Sequence, residues 1–147
     1  MTYTFHAETP SVDDYRRLRA ISGLSIKSEE AALRGLPNTC HAVVARADGR
    51  TVAMGRVIGD GGCHFQIVDM AVEPEHQGRG IGKRIFADLV AWLRETAPDT
   101  AYVSLIADGD ARHLYSKQGF EPVMPASIGM AMWVHGFPGR ADGLREA

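Results

Sequence analysis

The hydrophobic period of this chain changes once, abruptly, at a run of glycines, and that change limits what the chain can fold into. Residues 65–72 read Phe-Gln-Ile-Val-Asp-Met-Ala-Val, an apolar, strand-like run. From Arg79 onward, Ile81, Ile85, Phe86, Leu89, Val90, Trp92 and Leu93 follow a helical stripe, with Lys83, Arg84, Asp88, Arg94 and Glu95 mostly off it. At the junction, Gly78, Gly80 and Gly82 occupy alternate positions. Glycine lets a ligand approach the backbone closely, and a helix start offers unpaired N–H groups and a positive dipole end. Together these make an anion site, most often a phosphate site. The plainer reading is a sharply turned helix entry with no ligand. It sacrifices stability at several glycines without an obvious packing gain.

The rest of the chain is ordered around that junction. Residues 2–7 alternate weakly, as a first strand. Ser11 is placed to cap a helix that stops at Gly23, and Ser28 to cap a second, short one over 28–35, with Pro37 beyond its end. Residues 41–47, 50–58 and 63–72 are strands, with a hairpin signal at Asp48-Gly49 and a glycine-rich turn over 59–62. After the long helix, which Pro98 ends, come a strand over 101–107 and a short helix over 110–118 closed by Gly119. Two final strands are expected near 120–123 and 129–135. The order is β-α-α-β-β-β-α-β-α-β-β: an α/β chain of the α+β kind, with a mixed, mostly antiparallel central sheet flanked by helices. Residues 1–137 form one domain and residues 138–147 a surface tail.

A chain of 147 residues can bury a real core as one domain. A net charge of -2 gives no reason to expect a nucleic-acid partner, and no apolar run is long enough to span a bilayer. Met1-Thr2-Tyr3-Thr4-Phe5 does not read as a signal peptide. Two cysteines are too few for a disulfide framework and suit a reducing cytosol, so a cytoplasmic location is expected. Cys40-His41 and Cys63-His64 tempt a zinc reading. Neighbouring strand side chains point to opposite faces, however, so no metal is expected.

Two familiar phosphate loops fail on residues. The dinucleotide fingerprint needs a sixth-position glycine where Lys83 stands. The nucleotide P-loop needs glycine where Gln77 stands, and serine or threonine where Arg84 stands. What remains is Gln77-Gly78-Arg79-Gly80-Ile81-Gly82, which resembles the Q/R-x-x-G-x-G/A signature of the GNAT superfamily of acyl-CoA-dependent N-acyltransferases. Residues 108–120, Asp-Gly-Asp-Ala-Arg-His-Leu-Tyr-Ser-Lys-Gln-Gly-Phe, resemble its second hallmark, N-x-x-A-x-x-L-Y-x-K-x-G-F, with Asp108 in place of the usual asparagine. The resemblance is specific over residues 65–123.

The resemblance implies acetyl-CoA as co-substrate. Gln77, Gly78, Arg79, Gly80, Ile81, Gly82 and Lys83 would surround its pyrophosphate, and Asp108 would lie by the cofactor. The fourth and fifth strands would splay, with pantetheine pairing along Met70, Ala71 and Val72. Apolar alternation through Cys63, Phe65 and Ile67 meets Asp69 at the same parity, so a bulge is expected there. By the resemblance Tyr115 is the general acid for the leaving thiolate; core packing beside Leu114 is its alternative. Asp69 is the better candidate for general base and His64 the runner-up, while Gln66 can only orient water.

The activity implied is acetyl transfer from acetyl-CoA to the primary amine of a small molecule, by direct attack in a ternary complex. The alternatives are a protein N-terminal or lysine acetyltransferase, and a non-catalytic acyl-CoA-binding regulatory module. A homodimer is compatible with the sequence, and Trp133 and Phe137 would then lie at its interface.

Overall fold

A computed structural model describes residues 2–108 and 111–139. The chain runs β1 (Tyr3–His6), α1 (Val12–Ile21), α2 (Glu29–Gly35), β2 (His41–Ala47), β3 (Arg50–Gly59), β4 (His64–Val72), α3 (Ile81–Thr96), β5 (Tyr102–Ser104) and α4 (Ala111–Ser116). The five strands lie in the order β1-β2-β3-β4-β5. The first four are antiparallel neighbours, and β5 joins β4 in parallel through the α3 crossover. The mixed, mostly antiparallel sheet flanked by helices is therefore as the sequence predicts.

Local chemistry places the early helices. The Ser11 hydroxyl accepts from the Asp14 N–H at 3.1 Å, and the Ser28 hydroxyl from the Ala31 N–H at 3.0 Å. Each satisfies one of the donors a helix start leaves open. The two apolar faces of the sheet form separate clusters. On one, Val43, Ala45, Val57, Phe65 and Ile67 pack against Ile85, Phe86, Leu89 and Leu93 of α3. On the other, Val44, Met54 and Ala71 pack against Tyr15 and Leu18 of α1, Ala32 of α2 and the following Leu36. Gly55 permits the close approach of α3. A Cβ there would stand 2.5 Å from Met70 Sδ and 2.9 Å from Ile85 Cγ2. Trp92 is only half-buried and stacks flat on His41, with ring centroids 4.8 Å apart.

The end of the chain departs from expectation. Neither 120–123 nor 129–135 forms a strand; both are turns and irregular backbone. Pro122 supplies no ladder donor to the first. In the second, Met130, Met132 and Val134 do alternate, but they are 88%, 80% and 75% exposed. Alternation makes a strand only where a layer covers the apolar parity, and no element lies over this one among the described residues. The strand expected over 101–107 shortens to β5, and the helix expected over 110–118 to α4. Trp133 and Phe137 pack on each other, with ring centroids 5.3 Å apart. Of the expected tail, Gly139 accepts a backbone bond from Ile26, while residues 140–147 lie outside the described residues. No helix among the described residues is long and apolar enough to cross a membrane.

Candidate active site

The site begins where β4 hands the chain to α3. A 3-10 turn, Pro74–His76, follows the strand, and Gln77 then donates from Nε2 to the Val72 carbonyl at 3.0 Å. Gly78 and Gly80 sit at φ +77° and +80°, the left-handed region in which a Cβ is strained. Gly80 is the N-cap of the 16-residue α3. No side chain caps it, and the first turn holds no acidic residue. The opening N–H groups of a long helix therefore face outward with a positive dipole end and no carboxylate to compensate them. Residues 77–80 are exposed, as is Lys83. Ile81 turns its side chain into the core at 3% exposure, so that position offers only backbone. Uncapped donors, glycine backbone and the cations Arg79 and Lys83 fit a pyrophosphate.

Beside this loop the sheet opens. β4 and β5 pair only at His64↔Tyr102, Phe65↔Val103 and Gln66↔Ser104. Beyond those, β4 continues through Met70, Ala71 and Val72, bonded to β3 on one side only, while the chain after Ser104 departs. The opening coincides with the expected bulge. Met54 pairs with Ala71 and Arg56 with Val68, so Gly55 alone spans Asp69 and Met70. Asp69 adopts φ +60°, rare outside glycine, and the strand changes phase there. Phe65 and Ile67 face α3 before it, Met70 and Val72 after it.

What holds Asp69 in that conformation is a buried ionic node that sequence reading did not find. Arg19 Nη1 donates to Oδ1 at 2.5 Å, Arg56 Nε to Oδ2 at 2.9 Å, and the Tyr15 hydroxyl to Oδ1 at 3.1 Å. The three charged side chains are each under 10% exposed, at 9% for Arg19, 8% for Arg56 and 6% for Asp69. Burial, then the Asp69 charge, pushes the Tyr15 phenol up to about 12. The one signal was Arg56 itself, a cation inside the otherwise apolar run 52–58. A buried guanidinium needs a carboxylate, and strand pairing brings Asp69 to it. The Asp69 surroundings thus run against its reading as general base. Both oxygens already accept from charged donors, which suits a carboxylate that fixes the bulge. Of the other strand candidates, His64 is exposed and Gln66 half-buried.

Tyr115 lies on α4, the helix that follows β5. Its ring packs on Phe86 of α3 with centroids 4.7 Å apart, so the packing role read from the sequence is present. Its hydroxyl makes no hydrogen bond among the described residues. Burial, then the charge of Asp108, holds its phenol above the usual value. A phenol shifted upward keeps its proton at neutral pH and can only donate it. Asp108 itself is exposed where the chain leaves β5. The parted strands open a cleft beside the glycine loop and the bulge, and Tyr115 packs on α3 through Phe86.

Known proteins resemble this chain in sequence and fold. The sequence model described as the acetyltransferase (GNAT) domain matches residues 38–122. The crystal structure of a probable acetyltransferase of unknown function from meticillin-resistant Staphylococcus aureus superposes with a TM-score of 0.85 at 42% identity, covering 90% of this chain and 99% of that one. Curated relatives include the uncharacterized N-acetyltransferase ycf52 of Pyropia yezoensis, 32% identical over 50% of this chain and 41% of its own length. GCN5-related N-acetyltransferase 2 of Arabidopsis thaliana is 35% identical over 49% of this chain and 27% of its own. The chain thus spans less than half the length of the curated relatives it matches. The match to the domain runs from β2 through α4, across every element of the cleft, and the chain belongs to the GNAT family of acetyltransferases.

Proposed function

We propose that this acetyltransferase moves the acetyl group of acetyl-CoA to the primary amine of a small molecule, by direct attack in a ternary complex. The parting of β4 from β5 beyond Gln66 and Ser104, between an uncapped helix start and a protonated phenol, carries this reading. Backbone N–H groups of residues 77–82, with Arg79 and Lys83, would hold the pyrophosphate. The free edge of Met70, Ala71 and Val72 would pair with pantetheine as an added strand. The amine forms a bond to the acyl carbon, the C–S bond breaks, and Tyr115 donates a proton to the departing thiolate. The acceptor proton leaves through water oriented by Gln66 or taken up by His64, since Asp69 is engaged by Arg19 and Arg56.

A small acceptor is favoured over a protein by what closes the α1–α2 side. Ile26 donates its N–H to the Gly139 carbonyl at 3.0 Å, and the Lys27 ammonium lies 5.1 Å from the Trp133 ring centroid. The late segment thus crosses the loop between the two helices.

Calorimetry with acetyl-CoA tests the cofactor, and failure to bind at millimolar ligand overturns the reading. Thiol release across a panel of amines tests the transfer. Tyr115→Phe is expected to lower kcat by about 100-fold or more while acetyl-CoA still binds. Unchanged turnover removes the acid role.

A further inference from the structure

We propose that the acceptor amine carries a second, anionic group, a carboxylate or phosphate, and that Arg56 binds it; this rests on the acetyl-transfer reading above. The ionic node at the bulge holds two guanidiniums and one carboxylate. Among the described residues, no second carboxylate lies within ion-pair distance of either arginine. Tyr15 cannot balance the charge, because its phenol stays protonated. A net positive charge is thus buried at the point where β4 bulges beside the cleft, and an uncompensated buried charge is strongly unfavourable unless a ligand offsets it.

The hydrogen bonds say which arginine is available. Arg19 is spent on protein groups: Nε donates to the Ser25 carbonyl at 2.9 Å, Nη2 to Ser25 Oγ at 2.8 Å, and Nη1 to Asp69. Arg56 is held through two of its three nitrogens. Its Nε reaches Asp69 at 2.9 Å, and Nη1 reaches Thr39 Oγ1 at 2.7 Å. Its guanidinium carbon sits 5.4 Å from the Tyr15 ring centroid. Nη2 has no hydrogen-bond partner among the described residues. A guanidinium oriented by two bonds and a ring, with one nitrogen unspent, is a preorganised anion receptor.

Its position fits an acceptor site. Arg56 pairs across the ladder with Val68, on the sheet face away from α3. Gln66, next on that face of β4, is half-buried. An amine seated against Gln66 would reach the cleft with its nitrogen while a pendant anion met Arg56.

The test uses the whole chain, acetyl-CoA, and amines matched except for the anion: alanine against ethylamine, lysine against cadaverine, tyrosine against tyramine, and O-phosphoethanolamine against ethanolamine. The anionic member of at least one pair is expected to win by about tenfold or more in kcat/KM, as a charge-assisted bond implies. The first three pairs report on a carboxylate and the last on a phosphate. Arg56→Lys is expected to cut that preference by about tenfold, because a lysine cannot serve Asp69, Thr39 and a ligand together. Thr39→Val, a milder change, is expected to cut it less. Acetyl-CoA binding with no anionic preference in any pair, or with no turnover of any anionic member, overturns the proposal and leaves the acetyl-transfer reading standing. Full preference retained in both variants overturns the role of Arg56. Failure to bind acetyl-CoA overturns both readings.

Discussion

Two carboxylates four residues apart, Asp69 and Glu73, are each gripped by one arginine from α1 and one from β3, yet they do different work. Arg19 and Arg56 hold Asp69; Arg17 and Arg50 hold Glu73. Both carboxylates are buried. The difference lies in the cations. Those at Asp69 are under 10% exposed, whereas Arg17 is 27% and Arg50 59% exposed. The Glu73 node also has other supports: Arg17 Nη2 reaches the Thr51 carbonyl at 2.7 Å, and His76 beside it accepts from or donates to the Tyr3 hydroxyl at 2.8 Å. Glu73 pins the strand end to the hairpin and α1. Asp69 holds a residue in the left-handed region, in mid-strand, next to the cleft. Similar chemistry serves as an anchor where water reaches it and as a conformational lock where water does not.

Asp69→Asn should break that comparison most severely. It keeps the shape and leaves two buried guanidiniums without a counter-charge, a loss of about 3–5 kcal/mol. Urea unfolding measures it. Glu73→Gln should cost clearly less, about 1–3 kcal/mol, because Arg50 and part of Arg17 can turn to solvent. Equal losses at the two sites would show that exposure of the cations is not what separates them.

Alkaline pH probes the inner node through Tyr15, and Tyr15→Phe isolates its share from that of Tyr115. The Tyr15 phenol rises from about 10 in the unfolded chain to about 12 in the fold, first through burial and then through the Asp69 charge. A group with a raised folded pKa contributes stability that is complete below the unfolded value and lost as pH rises through the folded one. Stability should therefore fall between about pH 10 and 12, and in Tyr15→Phe that fall should be shallower. Thermal midpoints across the window for both proteins decide it, and parallel curves would remove Tyr15 from the inner node.

These contrasts also show what the sequence could convey. The meander, the α3 crossover, the two serine caps and the bulge at Asp69 were legible because each rests on local pattern: period, cap chemistry, and one residue out of phase. The glycine loop and Tyr115 were legible through motif. The convergence of Arg19 and Arg56 on Asp69, with Ser25 and Thr39 bonding the two arginines, was not, because these residues come from separate elements and no spacing along the chain encodes their meeting. Reading Asp69 as a base followed from its strand position and its carboxylate chemistry; its partners run against that role. The last two strands failed for the converse reason. Met130, Met132 and Val134 have the right period, but period specifies a strand only together with a covering layer.

The smallest change sharpens the contrast from the outer side. Arg50 bonds Glu73 through Nε at 3.2 Å and Nη2 at 2.9 Å, a two-pronged grip that looks strong on geometry. At 59% exposure its charge is largely screened, and ordering a long side chain offsets much of the attraction. Removing it also leaves Glu73 with Arg17, so no buried charge is stranded. Arg50→Met should then cost about 0–1 kcal/mol, whereas Arg56→Met, which takes the donor from one buried Asp69 oxygen and from Thr39 Oγ1, should cost about 1–3 kcal/mol. The two variants unfolded in urea side by side decide whether water access or bond geometry sets the strength of an arginine–carboxylate node in this fold. If Arg50→Met were as damaging as Arg56→Met, geometry would be the determinant, and the outer node would be as much a lock as the inner one.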